Sequence, residues 1–449
     1  ASRGALAIKI GLSLYDLKTR YRRALPRHIF NGTASMRQQW PELAKEFRFT
    51  ATYHDAWISH PERLGVELLL DTAEELPGSI ALNYAEIMHT GDGLALKTVE
   101  GDNLPVTAKV IVNATGAWLD EAVSALGDAT LDRQPFVSGT KGSHLVLENR
   151  RLLAALAGNM IFFEHTDGRV CIAFPYLGKV LAGATDIRVD RPQRVRCEPD
   201  EMDYILSSLQ RVFPGVPIVK TDVVYSFSGI RPLPRSDQEF TGRISRGHFT
   251  QRLNGAIPQF CMVGGKWTTF RAFAEQTADA VLAELGVQRR MQTRGIKIGG
   301  GAGFAGDGDE LRTELIERYA VTPERAEHLA FTYGTRAVDV MDFCIRRQDD
   351  TRLDPTTEIT AAEIVFLIRH EMVLRLADLI QRRTTLAIRG AVSTGLIERI
   401  NAILASELGF DAARKRREAD EFIADLGQYH GVSRQVLEQR TETGVPACG

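Results

Sequence analysis

One stretch constrains what this chain can fold into more than any other. Val263-Gly264-Gly265-Lys266-Trp267-Thr268-Thr269-Phe270-Arg271 reads as a strand that runs through two glycines into a helix. Glycines let the main chain approach a ligand closely, and the first turn of the helix offers unpaired N–H donors and a partial positive charge. Such a turn suits an electron-rich ligand edge, with Thr268 and Thr269 placed to cap the helix. Three segments upstream have related character: Val112 to Trp118, Lys141-Gly142-Ser143-His144, read as a turn before a strand that His144 begins, and Ser228-Gly229-Ile230-Arg231-Pro232-Leu233.

Strand-like text fills residues 79–116. Ser79 to Tyr84, Leu94 to Val99 and Ala108 to Asn113 alternate or run apolar, and Gly91-Asp92-Gly93 is a turn signal that predicts a hairpin between two of them. The last run is nearly continuous and ends in Ala114-Thr115-Gly116, as expected of a buried parallel strand whose C-terminal end faces a ligand, with Trp118 opening the next helix. From His144 to Ala184 the runs His144–Leu147, Met160–Glu164, Val170–Phe174 and Val180–Ala184 alternate without helix-length separators. That pattern predicts an antiparallel sheet. A helix carrying Ile205, Leu206 and Leu209 is expected after Glu198, then a strand from Val223 that delivers Arg231 at a turn before Pro232, and a long helix over Ala272 to Leu285.

The pattern Gly301-Ala302-Gly303-Phe304-Ala305-Gly306 imitates a dinucleotide fingerprint. A fingerprint needs a buried strand before it and a second strand ending in an acid about 20 residues later. Here Asp307, Asp309 and Glu310 stand where a pyrophosphate would sit, and helix-like text follows. Residues 296–310 are therefore expected to be a linker between a domain over 1–295 and a helical one over 311–449, where Thr322-Pro323-Glu324 and Thr360-Ala361-Ala362-Glu363 read as helix starts.

At 449 residues the chain exceeds one core of about 150, and its net charge of -2 gives no reason to expect a nucleic-acid partner. Basic residues are locally dense from Lys18 to Arg27 and from Arg414 to Arg417, where an anionic membrane surface could be touched, although such runs are usually solvated helix faces. The cysteines, at 171, 197, 261, 344 and 448, never form a C-x-x-C pair, which argues against a disulfide framework or a zinc site. No metal ligand set stands out, and no apolar run reaches the length of a membrane span.

Taken in order, these segments resemble the FAD-dependent, quinone-linked glycerol-3-phosphate dehydrogenases of the amino-acid-oxidase-like flavoproteins, over nearly the whole chain. The resemblance implies an α/β (α+β) fold: an FAD-binding parallel-sheet domain, an antiparallel-sheet substrate domain and an all-helical C-terminal domain. It implies FAD as cofactor, held by Ala114, Thr115, Gly116, Gly264, Gly265, Lys266, Trp267, Thr268 and Thr269. Family members open with a Gly-x-Gly-x-x-Gly segment, whereas this text opens at Ala1-Ser2-Arg3. The expectation is an N-terminally incomplete member.

Flavin oxidation of a secondary alcohol places a base and an electron acceptor on either side of one carbon. The resemblance makes His144 the candidate base, with Arg231 and Lys266 holding a phosphate or stabilising developing negative charge, and Asp186 positioning His144 or Arg231. Tyr53, Asp55 and Arg63, and the Arg369-His370-Glu371 and Arg382-Arg383-Thr384 segments, also match family text, the latter two as ties that cap the active site or hold the helical domain against the sheet. The activity implied is oxidation of sn-glycerol 3-phosphate to dihydroxyacetone phosphate with electrons passed to quinone, in glycerol metabolism. It also implies a cytoplasmic location, peripheral contact with the inner face of the cell membrane and room for a homodimer. An oxygen-using oxidase, a dehydrogenase of another polyol phosphate such as erythritol phosphate, and a non-catalytic fragment stay open as alternatives.

Overall fold

The computed structural model describes residues 4–21, 25–55, 57–90, 93–99, 101–126, 134–236 and 247–443. The chain forms two compact units, Ala1–Trp57 with Glu86–Gln292, and Ile58–Ala85 with Thr293–Gly449. Arg22 and Arg23 of the basic run, Gly91 and Asp92 of the turn and Cys448 lie outside the described residues.

The first unit opens with α1 (Ala5–Thr19), then β1 (Ile29–Asn31) and β2 (Thr50–Thr52), which pair antiparallel around α2 (Thr33–Gln39). A small meander follows, β3 (Glu86–Thr90), β4 (Gly93–Lys97) and β5 (Asn103–Val106). β3 and β4 pair antiparallel as the expected hairpin requires, but the first arm is 86–90 and not 79–84. Residues 79–84 join no ladder. Asn83 instead donates to the Met372 carbonyl at 2.6 Å and the Tyr84 hydroxyl to Asp378 at 2.7 Å, so tertiary partners outcompete strand pairing.

A second sheet runs in the order β13 (His248–Leu253), β14 (Gln259–Gly264), β6 (Ile111–Asn113), with β6 parallel to β14. α4 (Leu119–Ala125) and α7 (Phe270–Glu284) follow its two parallel strands, and Leu119, Val123, Cys261 and Val263 form one core.

The third sheet is antiparallel and positions the site. β7 (Val137–Leu147) lies at its centre, flanked on one side by β10 (Lys179–Gly183) and the short β11 (Ile187–Arg188). β9 (Val170–Tyr176) and β8 (Ile161–Glu164) continue the sheet beyond β10, and α5 (Arg150–Ala155) links β7 to β8. β12 (Val223–Pro234) pairs with β7 along its other side, Phe227 opposite His144 and Arg231 opposite Thr140.

Side chains alternate across a strand, so β7 has two distinct faces. Leu145 and Leu147 pack on α6 (Pro199–Val212) with Ile205, Leu206 and Leu209, all in one buried cluster. Gly142 and His144 occupy the other face. Two expectations change here. Lys141-Gly142-Ser143 is not a turn before a strand but the middle of β7, because β12 supplies ladder partners from Val137 to Leu147. Arg231 and Pro232 likewise lie inside β12 and not at a turn. Proline is tolerated there because, among the described residues, β12 pairs with β7 alone and Pro232 therefore stands on an edge.

The second unit is helical. It contains α3 (Pro61–Glu75), α8 (Asp309–Tyr319), α9 (Pro323–Tyr333), α10 (Ala337–Cys344), α11 (Ala361–His370), α12 (Thr394–Leu408), α13 (Ala412–His430) and α14 (Arg434–Thr443). Thr322 and Thr360 cap α9 and α11, accepting from the Arg325 and Glu363 N–H groups at 3.2 Å each. Leu315, Leu329, Ile364, Leu367, Ile397 and Ile400 are fully or almost fully buried.

The expected division at 296–310 also changes. Residues 58–85 belong to this helical unit, because Arg63 of α3 donates both guanidinium ends to Glu371, at 2.7 and 2.6 Å. The glycine run read as a linker is packed in as well. Gly299 and Gly300 donate backbone N–H groups to Asp71 and Glu67 at 2.8 and 3.1 Å, and a Cβ on Gly300 would overlap the Tyr333 carbonyl. Arg382 pairs with Asp378, Arg383 donates to the Glu371 carbonyl, and Arg369 pairs with Glu407, so these segments tie the helical unit to itself. Among the described residues, no helix is long and apolar enough to cross a membrane.

Candidate active site

The face of the third sheet away from α6 carries His144 and Arg231. The His144 ring stacks on Phe227, its cross-strand partner, with centroids 5.0 Å apart and planes 9° from parallel. On its other flank stands Gly183 of β10, where a Cβ would overlap the imidazole. The Arg231 guanidinium lies over Gly142 in the same way. Two glycines in strands, normally a weakness, here make the room that the His144 and Arg231 side chains occupy.

Arg231 Nη1 donates to the Thr185 carbonyl at 3.2 Å and to Asp186 Oδ1 at 3.3 Å. Of the two roles expected for Asp186, the structure gives it the contact with Arg231. Burial, then the positive charge of Arg231, pushes the His144 imidazole down to about 4. The ring is therefore neutral at physiological pH, with a lone pair able to take a proton.

β12 also brings the glycine turns together. A Cβ placed on Gly116 would lie 3.9 Å from the Pro232 ring, and one on Gly264 would lie 3.1 Å from the Pro234 ring. The Ala114-Thr115-Gly116 turn is held by Asn113, which is buried, accepts from the Thr115 hydroxyl at 2.7 Å and donates to the Leu119 carbonyl at 3.1 Å. Gly264 has φ +75° and its Cβ position is filled by the Gly247 carbonyl, so only glycine fits.

Lys266, Trp267 and Thr268 are exposed at the start of a short 3-10 turn, Trp267–Thr269, that leads into α7. Lys266 is thus placed with the glycine turn and not among the hydrogen bonds of Arg231. The expected threonine cap is absent: Thr269 makes no side-chain bond to the helix N–H groups, and its hydroxyl donates to the Lys266 carbonyl at 3.2 Å. The Thr269 and Phe270 N–H groups are instead bonded to the Lys266 and Trp267 carbonyls of that turn. Tyr53 stacks on Phe162, and Arg63 lies in the helical unit described above.

Sequence reasoning missed Glu201. It lies on the α6 side of the sheet, bonded to Lys141, Ser143 and Thr185. The spacing Glu198-Pro199-Asp200-Glu201 before an apolar run was the available signal, since it is the pattern of a reciprocal helix cap, which the structure contains.

The steric argument makes a prediction. Gly183→Ala is expected to cost about 1–3 kcal/mol by driving a methyl group into the His144 ring. Gly142→Ala should cost less, because the guanidinium at the end of a flexible side chain can swing away. Urea midpoints of the two variants check this ranking, and equal midpoints would contradict it.

Comparison with known proteins places the chain by family and fold. A family model described as FAD dependent oxidoreductase matches residues 4–280, and one described as the C-terminal domain of alpha-glycerophosphate oxidase matches residues 291–415. A glycerol-3-phosphate dehydrogenase of Synechocystis is 28% identical over 412 residues, covering 86% of this chain and 72% of its own. A mitochondrial glycerol-3-phosphate dehydrogenase of Arabidopsis thaliana is 28% identical, covering 92% of this chain and 69% of its own. The crystal structure of the glycerol-3-phosphate dehydrogenase from Bacillus halodurans, complexed with FAD, has the same fold, with a TM-score of 0.73 and 22% identity over 88% of this chain and 79% of that one.

Proposed function

Because the chain belongs to the FAD-dependent oxidoreductase family, we propose that it oxidises sn-glycerol 3-phosphate to dihydroxyacetone phosphate. The observation that carries this reading is the pairing of a neutral histidine with an arginine on one sheet face, beside two glycine turns. The names of the relatives in Synechocystis and Arabidopsis support the substrate.

The residues present fit FAD at those turns. Gly264 and Gly265 admit no side chain without overlap or close contact, the α7 N-terminus lacks a side-chain cap, and Trp118 and Trp267 are each about half exposed nearby in sequence. Ala114, Thr115, Gly116 and the Gly264 to Thr269 segment would hold it. FAD bound there supplies the two-electron acceptor for the alcohol carbon.

The protein's own part is proton transfer, orientation and charge. His144 takes the hydroxyl proton on a ring nitrogen that burial and Arg231 keep unprotonated beforehand. Arg231 presents a planar fork to the phosphate or to the forming alkoxide. Lys266 adds a point charge at the glycine turn. Asp186 restrains the Arg231 guanidinium while it works.

Electrons then pass to a quinone, with peripheral membrane contact, as part of glycerol metabolism. A second acceptor has one observation in its favour: the C-terminal family model carries the name of an oxidase, which points to oxygen. The test is the visible spectrum of the chain with FAD, followed by anaerobic sn-glycerol 3-phosphate. Bleaching of the flavin band is the expected result, and a band that erythritol 4-phosphate bleaches but glycerol 3-phosphate does not would overturn the substrate. Re-oxidation by a soluble quinone, faster than by air, would select the dehydrogenase reading.

A further inference from the structure

We propose that Glu201 is a positioning residue for Arg231, acting from the opposite side of the sheet through Thr185. Its carboxylate is 2% exposed and gathers donors from three elements. Oε1 accepts from the Thr185 hydroxyl at 2.6 Å and the Ser143 hydroxyl at 2.8 Å. Oε2 accepts from the Glu198 N–H at 3.0 Å and is paired with the Lys141 ammonium. The Thr185 hydroxyl also accepts from the Ser143 N–H at 3.0 Å, so it is used in both directions.

Thr185 is then the link across the sheet. Its side chain is held by Glu201 and β7, while its carbonyl and the neighbouring Asp186 carboxylate receive Arg231 Nη1. A second tie runs through β12, where Ser228 is hydrogen-bonded with Ser143 at 2.7 Å, three residues before Arg231. The first route ends at the guanidinium itself, the second at the strand that carries it.

A simple helix cap does not require this. The reciprocal cap at Glu198 and Glu201 accounts for one N–H, whereas a buried Lys–Glu pair gives little net stability over apolar packing of equal volume. The network is explained if it fixes geometry. Arg231 sits on a long flexible stem with its side chain 30% exposed, and ordering it before the anion arrives removes that cost from binding. Burial alone would raise the Glu201 carboxyl, but the Glu198 N–H and the Lys141, Thr185 and Ser143 bonds hold it below the usual carboxylate value, so it stays ionised and keeps all four donors.

The inference rests on the reading of Arg231 as the group that holds the substrate anion, and its test separates the two. The full chain with FAD is compared as wild type, Glu201→Gln, Thr185→Val, Thr185→Ser and Leu209→Ala. The last is a control on the same helix that removes core packing without touching the network. Two readouts are taken: KM and kcat for sn-glycerol 3-phosphate, with competition by inorganic phosphate, and the NMR titration of the His144 imidazole.

In Thr185→Val and Glu201→Gln, KM and the phosphate inhibition constant should each rise on the order of tenfold, with a smaller change in kcat. His144 should titrate higher as the guanidinium leaves it. Thr185→Ser should restore both readouts, and Leu209→Ala should move neither. If Thr185→Val leaves the His144 titration and phosphate inhibition at wild-type values, Glu201 is only a helix cap and the proposal is overturned, whether or not Glu201→Gln folds. If wild type itself ignores glycerol 3-phosphate, the substrate reading fails while the His144 titration still reports the placement of Arg231.

Discussion

Arg231→Ala is expected to lower kcat/KM for sn-glycerol 3-phosphate by about 10²–10³-fold, the usual size for losing a preorganised donor to developing charge. Arg231→Lys should recover only part of this, because a point charge cannot reproduce a fork held at Thr185 and Asp186. The same substitution should change the pH dependence of stability. With His144 down to about 4 in the folded chain, the unfolded chain binds more protons between that value and 6.5. This contribution is therefore full above pH 6.5 and is lost as pH falls toward 4, by up to about 3 kcal/mol. Removing Arg231 takes away one of its two causes, so the acid loss should shrink. His60, also lowered to about 4 by burial and by Arg63 and His328, adds to the same acid limb and should be unaffected. Urea midpoints at pH 7 and pH 5 for wild type and Arg231→Ala decide the matter. An unchanged difference between the two pH values would rule out the His144–Arg231 coupling.

Glu363→Ala should have the largest effect on stability, about 3–5 kcal/mol, because it strands a buried cation. Glu363 is completely buried on α11 and pairs with Arg325, itself 6% exposed. It also meets His328 Nε2 at 2.9 Å and accepts from the Tyr333 hydroxyl at 2.6 Å. Burial alone would raise this carboxyl, yet the charges of Arg325 and His328 and the bonds from His328 and Tyr333 hold it well below the usual carboxylate range. A double variant, Glu363→Leu with Arg325→Met, should regain most of the loss, since apolar replacement of a whole buried pair is nearly neutral. Calorimetric scans of the single and double variants check this. A single variant that melts like wild type would mean that the network contributes nothing.

The legible parts of the chain were those where local rules and the final fold agree. The β14 to α7 turn, the α6 helix over Ile205 to Leu209, the antiparallel runs after His144 and the caps at Thr322 and Thr360 follow from glycine geometry, periodicity and capping chemistry. Lys141-Gly142-Ser143 was misread because glycine beside polar residues is ordinary turn text, and only the Arg231 guanidinium over Gly142 explains it inside a strand. Residues 79–84 were misread because their alternation suits a strand, while their partners, Met372 and Asp378, lie almost 300 positions away.

By itself, then, the sequence determined the kinds of element, the glycine turns and which residue types were available for proton and anion chemistry. It did so because these depend on neighbours within a few positions. Which core residues 58–85 join, which face of β7 His144 shares with Arg231, and how Glu201 reaches that arginine through Thr185 were decided only by the tertiary structure. Register and long-range pairing settle them, since a strand turned by one residue would exchange Gly142 and His144 for Lys141 and Ser143 without altering any local preference.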